Sequence, residues 1–461
     1  MRATTFLTAT GLIALLAATG CNSGSRSKNN SVAPASSVSL ALSNVALTTS
    51  QSAARVGSDT VALVFRLQSP AGSADVQLQS LTVNAGGTVD ETLLGGLKLI
   101  SDDDGDGKIG PTEATVASIA SPAFAQDDGA ATIAPTASIT IPAGGQGRQF
   151  IVAVEGQTPG PAAAGLVGKN VRMFLQNTAS VATVDSAGQA GTIQGSFPVG
   201  GAPVTLYLHD HLLITEVVTM PAGAEYIELF NPTPSPATLT NVYLTDHTLN
   251  ASPTTLYQNI STGANFAPAA AGATDFLVRF PPGAQILPGQ TLVVAVDGTA
   301  YQAAYGKNAD HCLRGAVAGV GSQQMLTSAG AAWSPAAVAA TVELRDAGEP
   351  IVAFYFDALV AQRVFDIDYV FYGAATGADL HVDKSGLTVS GFTYPAETPA
   401  ATQAQADGGL PTPAQPALRR IDYSEPNEKQ TGGSGLLGGH EETSEVWKTS
   451  FGVSVPTPGA P

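Results

Sequence analysis

Short runs of alternating apolar and polar residues recur along most of this chain. Val38-Leu40-Leu42, Val61-Leu63-Phe65-Leu67 and Val76-Leu78, leading to Leu81-Val83, each return an apolar side chain at every second position. Period two is the pattern of a strand with one face on a core and the other on water. Ile139-Ile141 before Pro142-Ala143-Gly144-Gly145, and Phe150-Val152-Val154, repeat it. Helical heptads and short internal repeats are absent from the sequence. Many short strands separated by turns predict an antiparallel β-sandwich over residues 37–205, and a further set of strands begins near Leu206.

Composition sharpens this. Only 12% of the 461 residues are charged, and 50 Gly with 30 Pro leave little room for long helices. The expected fold class is all-β: two immunoglobulin-like antiparallel β-sandwich domains, residues 37–205 and 206–461, after a signal peptide and a flexible tether.

The start of the chain is different in kind. Arg2 precedes an apolar run from Phe6 to Ala18, and small residues Ala18-Thr19-Gly20 stand directly before Cys21. Such a run is too short for a transmembrane helix, and the small residues are what a signal peptidase requires. Ala18-Thr19-Gly20-Cys21 resembles the lipobox of bacterial lipoproteins, with Ala in place of the commoner Leu at its first position. The resemblance implies cleavage after residue 20 and a diacylglycerol on the Cys21 sulfur, so that palmitate-type chains hold the protein on a membrane. Asn22 at the next position implies sorting to the outer membrane or cell surface. Each buried methylene contributes about 0.8 kcal/mol, and two or three chains make attachment effectively permanent. Residues 21–36 are polar with almost no large apolar side chain, a composition suited to a spacer rather than a core.

Charge and cysteine content narrow the partners. The full chain carries −17, and loss of Arg2 with the signal makes the mature protein one charge more negative. Nucleic-acid backbones are repelled by such a protein, so no nucleic-acid partner is expected. With Cys21 taken by lipid, Cys312 has no partner for a disulfide, and it reads as a small buried residue.

Three segments of the second half carry a family likeness. Leu212-Leu213-Ile214-Thr215-Glu216-Val217, Glu225-Tyr226-Ile227-Glu228-Leu229-Phe230-Asn231-Pro232 and Leu239 to Asp246 follow one another at suitable spacing. Later come Ile286-Leu287-Pro288-Gly289-Gln290, Val342-Glu343-Leu344-Arg345-Asp346, Asp368 to Gly373, Leu418-Arg419-Arg420, Trp447 and Pro456-Thr457-Pro458-Gly459. Together these resemble a lamin-tail domain about twice its usual size, with the extra length in loops at 250–274 and 393–415. In Glu225–Leu229 the alternation predicts a strand with one buried side, and Asn231-Pro232 stops it because proline cannot donate to the ladder. Trp447 reads as a core-closing aromatic rather than a ligand-stacking platform.

The most specific chemical signal lies in the first half. Asp102-Asp103-Asp104-Gly105-Asp106-Gly107-Lys108-Ile109-Gly110-Pro111-Thr112-Glu113 fits the calcium loop of EF-hands at every informative position. Ca²⁺ takes about six to eight hard oxygens, here from Asp102, Asp104, Asp106, the Lys108 carbonyl and Glu113. Gly107 allows the sharp turn, and Ile109 is expected to point back into the protein. The flanks depart from the family: Leu97-Lys98-Leu99-Ile100 alternates as a strand, and Gly95-Gly96 would break an entering helix. The site is therefore expected between strands, as a structural calcium site.

Other signals are weaker. His209-Asp210-His211 sets two imidazoles on one strand face, incomplete for zinc or copper unless Asp246 or His247 comes near. His440-Glu441-Glu442 lacks the second histidine of a zinc-protease helix, and Gly433 to Gly438 matches a dinucleotide fingerprint only formally, reading as a flexible loop. The chain is thus expected to be a non-enzymatic, membrane-anchored binding or structural scaffold whose partner is an envelope or extracellular protein or a glycan. The alternative is a metal-dependent hydrolase of the envelope, nuclease or phosphatase in type, since lamin-tail-like domains in bacteria often accompany such modules. The anchor is tested by metabolic labelling with a palmitate analogue: the wild type takes label and partitions with membranes, and Cys21→Ser does neither.

Overall fold

The computed structural model describes residues 39–461 apart from 45–52, 112, 158–159, 247–256, 263–273, 317–320, 330–331, 360–362, 374–380, 404–409, 426, 437–438 and 461. Cys21, the signal sequence and the tether lie outside the described residues.

Val38–Pro461 is a single compact unit of sheets, with three short α-helices among the described residues. In the first half a six-stranded sheet runs in the order Thr192–Gln194, Ser39–Asn44, Thr60–Gln68, Arg148–Val154, Leu97–Asp102, Ala114–Ile119. An eight-stranded sheet faces it, built around the long strand Val76–Gly87. Leu63, Phe65 and Leu67 from one sheet share a core with Val76, Leu78, Leu81 and Val83 from the other.

Two β-bulges explain where strict alternation fails. Between Val61 and Leu63 the pairing with Arg148–Val154 slips by one residue. A one-residue slip reverses facing, so Val61 leaves the main core and joins Val64, Ile100, Ile151 and Ala153 on the other side. In Val76–Gly87, Ser80 pairs with Ala182 and Leu78 with Thr183, a shift that absorbs the three-residue step from Leu78 to Leu81.

The second half pairs a seven-stranded with a six-stranded sheet. In the former, Leu213–Val218 lies between Tyr226–Phe230 and Ala417–Arg420, followed by Phe451–Ser454 at the edge. Val217, Ile227 and Leu229 face a core shared with Val352, Phe354, Tyr369 and Trp447. Trp447 closes that core: it is fully buried, donates its indole N–H to the Tyr369 carbonyl at 2.5 Å and stands edge-on to Tyr369 and Phe371. At one end of the sheet Leu213, Phe230 and Tyr423 belong instead to the core of the first half, so the two halves share buried side chains.

The Tyr226–Phe230 strand was expected to bury one side, and it buries both. Helix Gly298–Tyr305, capped by the Asp297 carboxylate on the Thr299 and Ala300 amides and ended by Gly306 at φ 68°, lies on the outer face. It packs Tyr301 with Val218, Tyr226 and Cys312. Cys312 is fully buried and its thiol is pushed up to about 11 by burial, which leaves it inert. The expected loop at 393–415 is also partly interior: Tyr394, Glu397 and Gln403 are buried.

The rest of the outer face carries two acids on adjacent strands, Glu216 opposite Glu228. The 457–459 tail supplies some of their donors and the strands supply the others. Thr457 N donates to Glu216 at 3.0 Å, Gly459 N to Glu228 at 2.6 Å, and Thr215 Oγ1 to Glu228 at 2.9 Å. Burial, reinforced by the Glu216 charge, pushes Glu228 up to about 8. Because its folded pKa exceeds the unfolded one, its stabilising effect is complete below about pH 4.3 and is lost as pH rises toward 8. Glu228→Gln is therefore expected to raise the melting midpoint at pH 8.5 and to leave it nearly unchanged at pH 4.5, read by calorimetry at both pH values.

Candidate functional site

The acidic loop joins the antiparallel strands Leu97–Asp102 and Ala114–Ile119, so it is a hairpin and not a helix pair. Ser101 pairs with Ala114, which sets the next residues outward, Asp102 and Glu113, facing each other across the hairpin. This register brings the first and last positions of the loop together. Ligand oxygens of Asp102, Asp104, Asp106 and Glu113 all lie within 4.8 Å of one another.

Local bonds shape the loop. Asp102 is buried and accepts from Gly105 N at 2.7 Å, Gly107 N at 3.0 Å and Gln149 Nε2 at 2.6 Å. Asp104 accepts from Asp106 N, and Asp106 from Lys108 N. Gly105 and Gly107 turn the chain at φ 76° and 74°, where glycine is favoured. Arg148 reaches Asp103, the one acid of the loop not assigned as a ligand. Glu113 takes Gly110 N on one oxygen, while its other oxygen is buried and unbonded. Burial and the charges of Asp102 and Asp104 hold its pKa above the usual range. Lys108 is exposed, and Ile109, expected inward, is 37% exposed because a hairpin loop has no helix to cover it.

A second cluster joins residues that sequence reasoning kept apart. His209 and His211 lie between strands Val204–Tyr207 and Leu213–Val218, two positions apart and on one face. Asp246 does not complete them, being buried elsewhere and accepting from Phe276 N, and His247 lies outside the described residues. The partners are Glu425, Glu428, His440 and Glu442, with all six side chains at most 8% exposed. An antiparallel bridge between Lys429 and Glu441 turns Glu428, His440 and Glu442 to the same side. Imidazole centroids are 4.2 Å apart for His209 and His211, 5.4 Å for His211 and His440, and 6.2 Å for His209 and His440.

The glycines nearby follow from this packing. A Cβ on Gly433 or Gly435 would come within 2.3 or 2.7 Å of the His440 carbonyl oxygen. The formal dinucleotide fingerprint is therefore a packing device. Its described residues are tied down by Gly433 N to Gly439 O and Gly435 N to His440 O, not loose as expected.

Arg420 underlies the cluster. It is fully buried and donates to the Ile214 carbonyl at 2.9 Å, Asp368 at 2.8 Å and Glu445 at 2.9 Å, with Glu425 at 3.6 Å. Burial pushes Asp368 up to about 6 and Glu445 up to about 8, even beside the guanidinium.

No family model matches the chain, and no curated protein matches it. Among solved structures it is similar to a DUF4876 family protein from Bacteroides thetaiotaomicron, at 10% identity over 80% of this chain and 94% of that one, with a TM-score of 0.29. A Hadza microbial sialidase aligns at 13% identity over 72% and 68% of the two chains, TM-score 0.19. A membrane anchored protein from Corynebacterium diphtheriae aligns at 10% over 84% and 63%, TM-score 0.16. Scores this low identify neither the fold nor the activity.

Removing the Arg420 guanidinium takes from Asp368 and Glu445 the cation that contacts both. Arg420→Met is expected to cost about 3–5 kcal/mol in urea unfolding, and adding Asp368→Asn with Glu445→Gln is expected to recover much of it.

Proposed function

We propose that this chain is a non-catalytic scaffold or binding protein of the bacterial cell envelope, held on the outer membrane or cell surface through lipid on Cys21. Its first sheet pair is stiffened by Ca²⁺ at Asp102, Asp104, Asp106, the Lys108 carbonyl and Glu113. The partner is an envelope or extracellular protein or a glycan, met by loops that project from rigid sheets. The order of lamin-tail landmarks supports the same reading of the second half, since Trp447 and the 456–459 tail close it as that resemblance implies.

The calcium reading rests on one observation above the others. Four carboxylates converge across a hairpin, and a buried Glu113 oxygen is left without a hydrogen bond. Hard, all-oxygen donors of this kind suit Ca²⁺ and not zinc. A hydrolase would need a metal position open to substrate, which the nearly solvent-free histidine–glutamate cluster does not offer.

Modules of this type bind with Kd of about 10⁻⁴ to 10⁻³ M, so millimolar calcium contributes on the order of 0.5 to 1.5 kcal/mol. The test is a melt of the mature protein with calcium, with magnesium and with chelator. Calcium raises the midpoint by a few degrees and magnesium does so poorly, while Asp104→Ala with Asp106→Ala abolishes the calcium effect. Equal midpoints with calcium and chelator would show that the loop is only a solvated acidic turn.

A further inference from the structure

The six side chains gathered beside Arg420 have a chemistry unlike that of the acidic hairpin loop. Three imidazoles and three carboxylates meet where almost no water reaches, and each is at most 8% exposed. Asp368, Glu425 and Glu445 stand against the buried guanidinium of Arg420, and Glu428 and Glu442 are buried with the histidines. Acids buried in this number are either protonated or matched by positive charge close by.

The directions of the side chains say where that charge belongs. His209 Nε2 and His211 Nε2 lie 2.9 and 3.1 Å from the same Glu425 oxygen, yet neither makes a hydrogen bond of acceptable geometry. Donor and acceptor therefore do not aim at each other, as for lone pairs that converge on a common point. The opposite edges of the rings face other acids. Asp210 stands 3.1 Å from His209 Nδ1 and 3.5 Å from His211 Nδ1, and Glu428 stands 3.2 Å from His440 Nδ1. A carboxylate thus stands near each Nδ1, the kind of outer neighbour that metal-bound histidines have, although His209 Nδ1 and His440 Nδ1 are, like the Nε2 atoms of His209 and His211, buried without a hydrogen bond. His211, His440 and Glu442 offer ligand atoms within 4.8 Å of one another, as do His209, Glu425 and Glu428. Glu425 is held at φ 48°, a left-handed conformation that a glutamate rarely adopts.

We propose that this nest is a structural site for a divalent transition-metal ion of the zinc class, ligated by His209, His211 and His440 with Glu425 and Glu442. Asp210 and Glu428 act as outer acceptors on the imidazoles. Nitrogen donors select zinc-class ions over Ca²⁺ and Mg²⁺, and two carboxylates neutralise the ion's charge. Closure on all sides gives the ion a structural role. It joins the link between the two halves, at 209–211, to the irregular segment 421–446 that follows strand Ala417–Arg420.

The full chain, purified in detergent without chelator and loaded with zinc or cobalt, tests this. The expected result is at least about one equivalent of tightly held metal, with imidazole scattering in the zinc-edge X-ray absorption spectrum and visible d–d bands for cobalt. Chelation at neutral pH should lower the melting midpoint by about 5 °C or more. His211→Ala with His440→Ala should lose the metal, and Asp104→Ala with Asp106→Ala in the calcium loop should keep it. Should the histidine variant fail to fold, the absorption spectrum of the wild type still decides. An all-oxygen coordination shell, absence of stoichiometric metal after loading, or cobalt bands that survive in a folded histidine variant would overturn the proposal.

Discussion

A buried cation, Arg420, ties the two sheets of the second half together. Arg420 ends a strand of the seven-stranded sheet, bonds the backbone of its neighbour at Ile214, and reaches Asp368 on the six-stranded sheet opposite. Asp368 in turn accepts from Ile214 N at 2.5 Å. One guanidinium thus links both layers through charge-assisted, forked bonds, which only arginine's planar geometry supplies in that number. Isolated buried pairs are weak sources of net stability, and their clearer effect is to penalise every alternative pairing. Here the penalty falls on any register of strand Ala417–Arg420 that would leave Arg420, Asp368 or Glu445 alone.

The same strand hands the chain to the segment that carries Glu425, Glu428, His440 and Glu442. Those side chains have no sheet of their own to orient them. Their positions come from the Lys429–Glu441 bridge, from glycines that let the backbone pass within van der Waals contact of His440, and from the Arg420 network beneath. Rigid sheets therefore supply one side of the nest and an irregular segment the other. Precise placement of ligands is usual when at least part of the shell sits on such a frame.

What the sequence made legible was local. Alternation located Thr60–Gln68 and Val76–Gly87, and contiguous spacing located the acidic hairpin loop, because its carboxylates fall within one turn of chain. Facing within those strands was legible only up to the first bulge: Val61 is turned outward by a slip that no residue pattern announces. The histidine–glutamate nest was illegible for a different reason. Its members come from opposite ends of the second half, and each fragment taken alone, His209-Asp210-His211 or His440-Glu441-Glu442, is an incomplete ligand set. Glu425 and Glu428 carry no motif at all, and the nearest signal was the glycine at 433 and 435, which marks close backbone approach to His440. The doubly buried Tyr226–Phe230 strand was equally hidden, since its cover comes from a helix and a tail distant in sequence.

Sheet topology also bears on how the chain reaches this state. Strand Ser39–Asn44 runs parallel to Thr192–Gln194, and Leu213–Val218 waits for Ala417–Arg420 before its second edge is filled. Contacts so remote along the chain make for slow closure, because loop entropy must be overcome before the pairing contributes. As the polypeptide emerges from the ribosome, the central strand of the second half presents an unpaired edge until Ala417–Arg420, some two hundred residues further on, has been made. Open edges of that kind template association with other chains. A ribosome that stalls before residue 417 would release a product with bare backbone along Leu213–Val218 and no arginine for Asp368, a species suited to capture by holdase chaperones or to aggregation. Quality control of this protein thereby turns on the arrival of strand Ala417–Arg420.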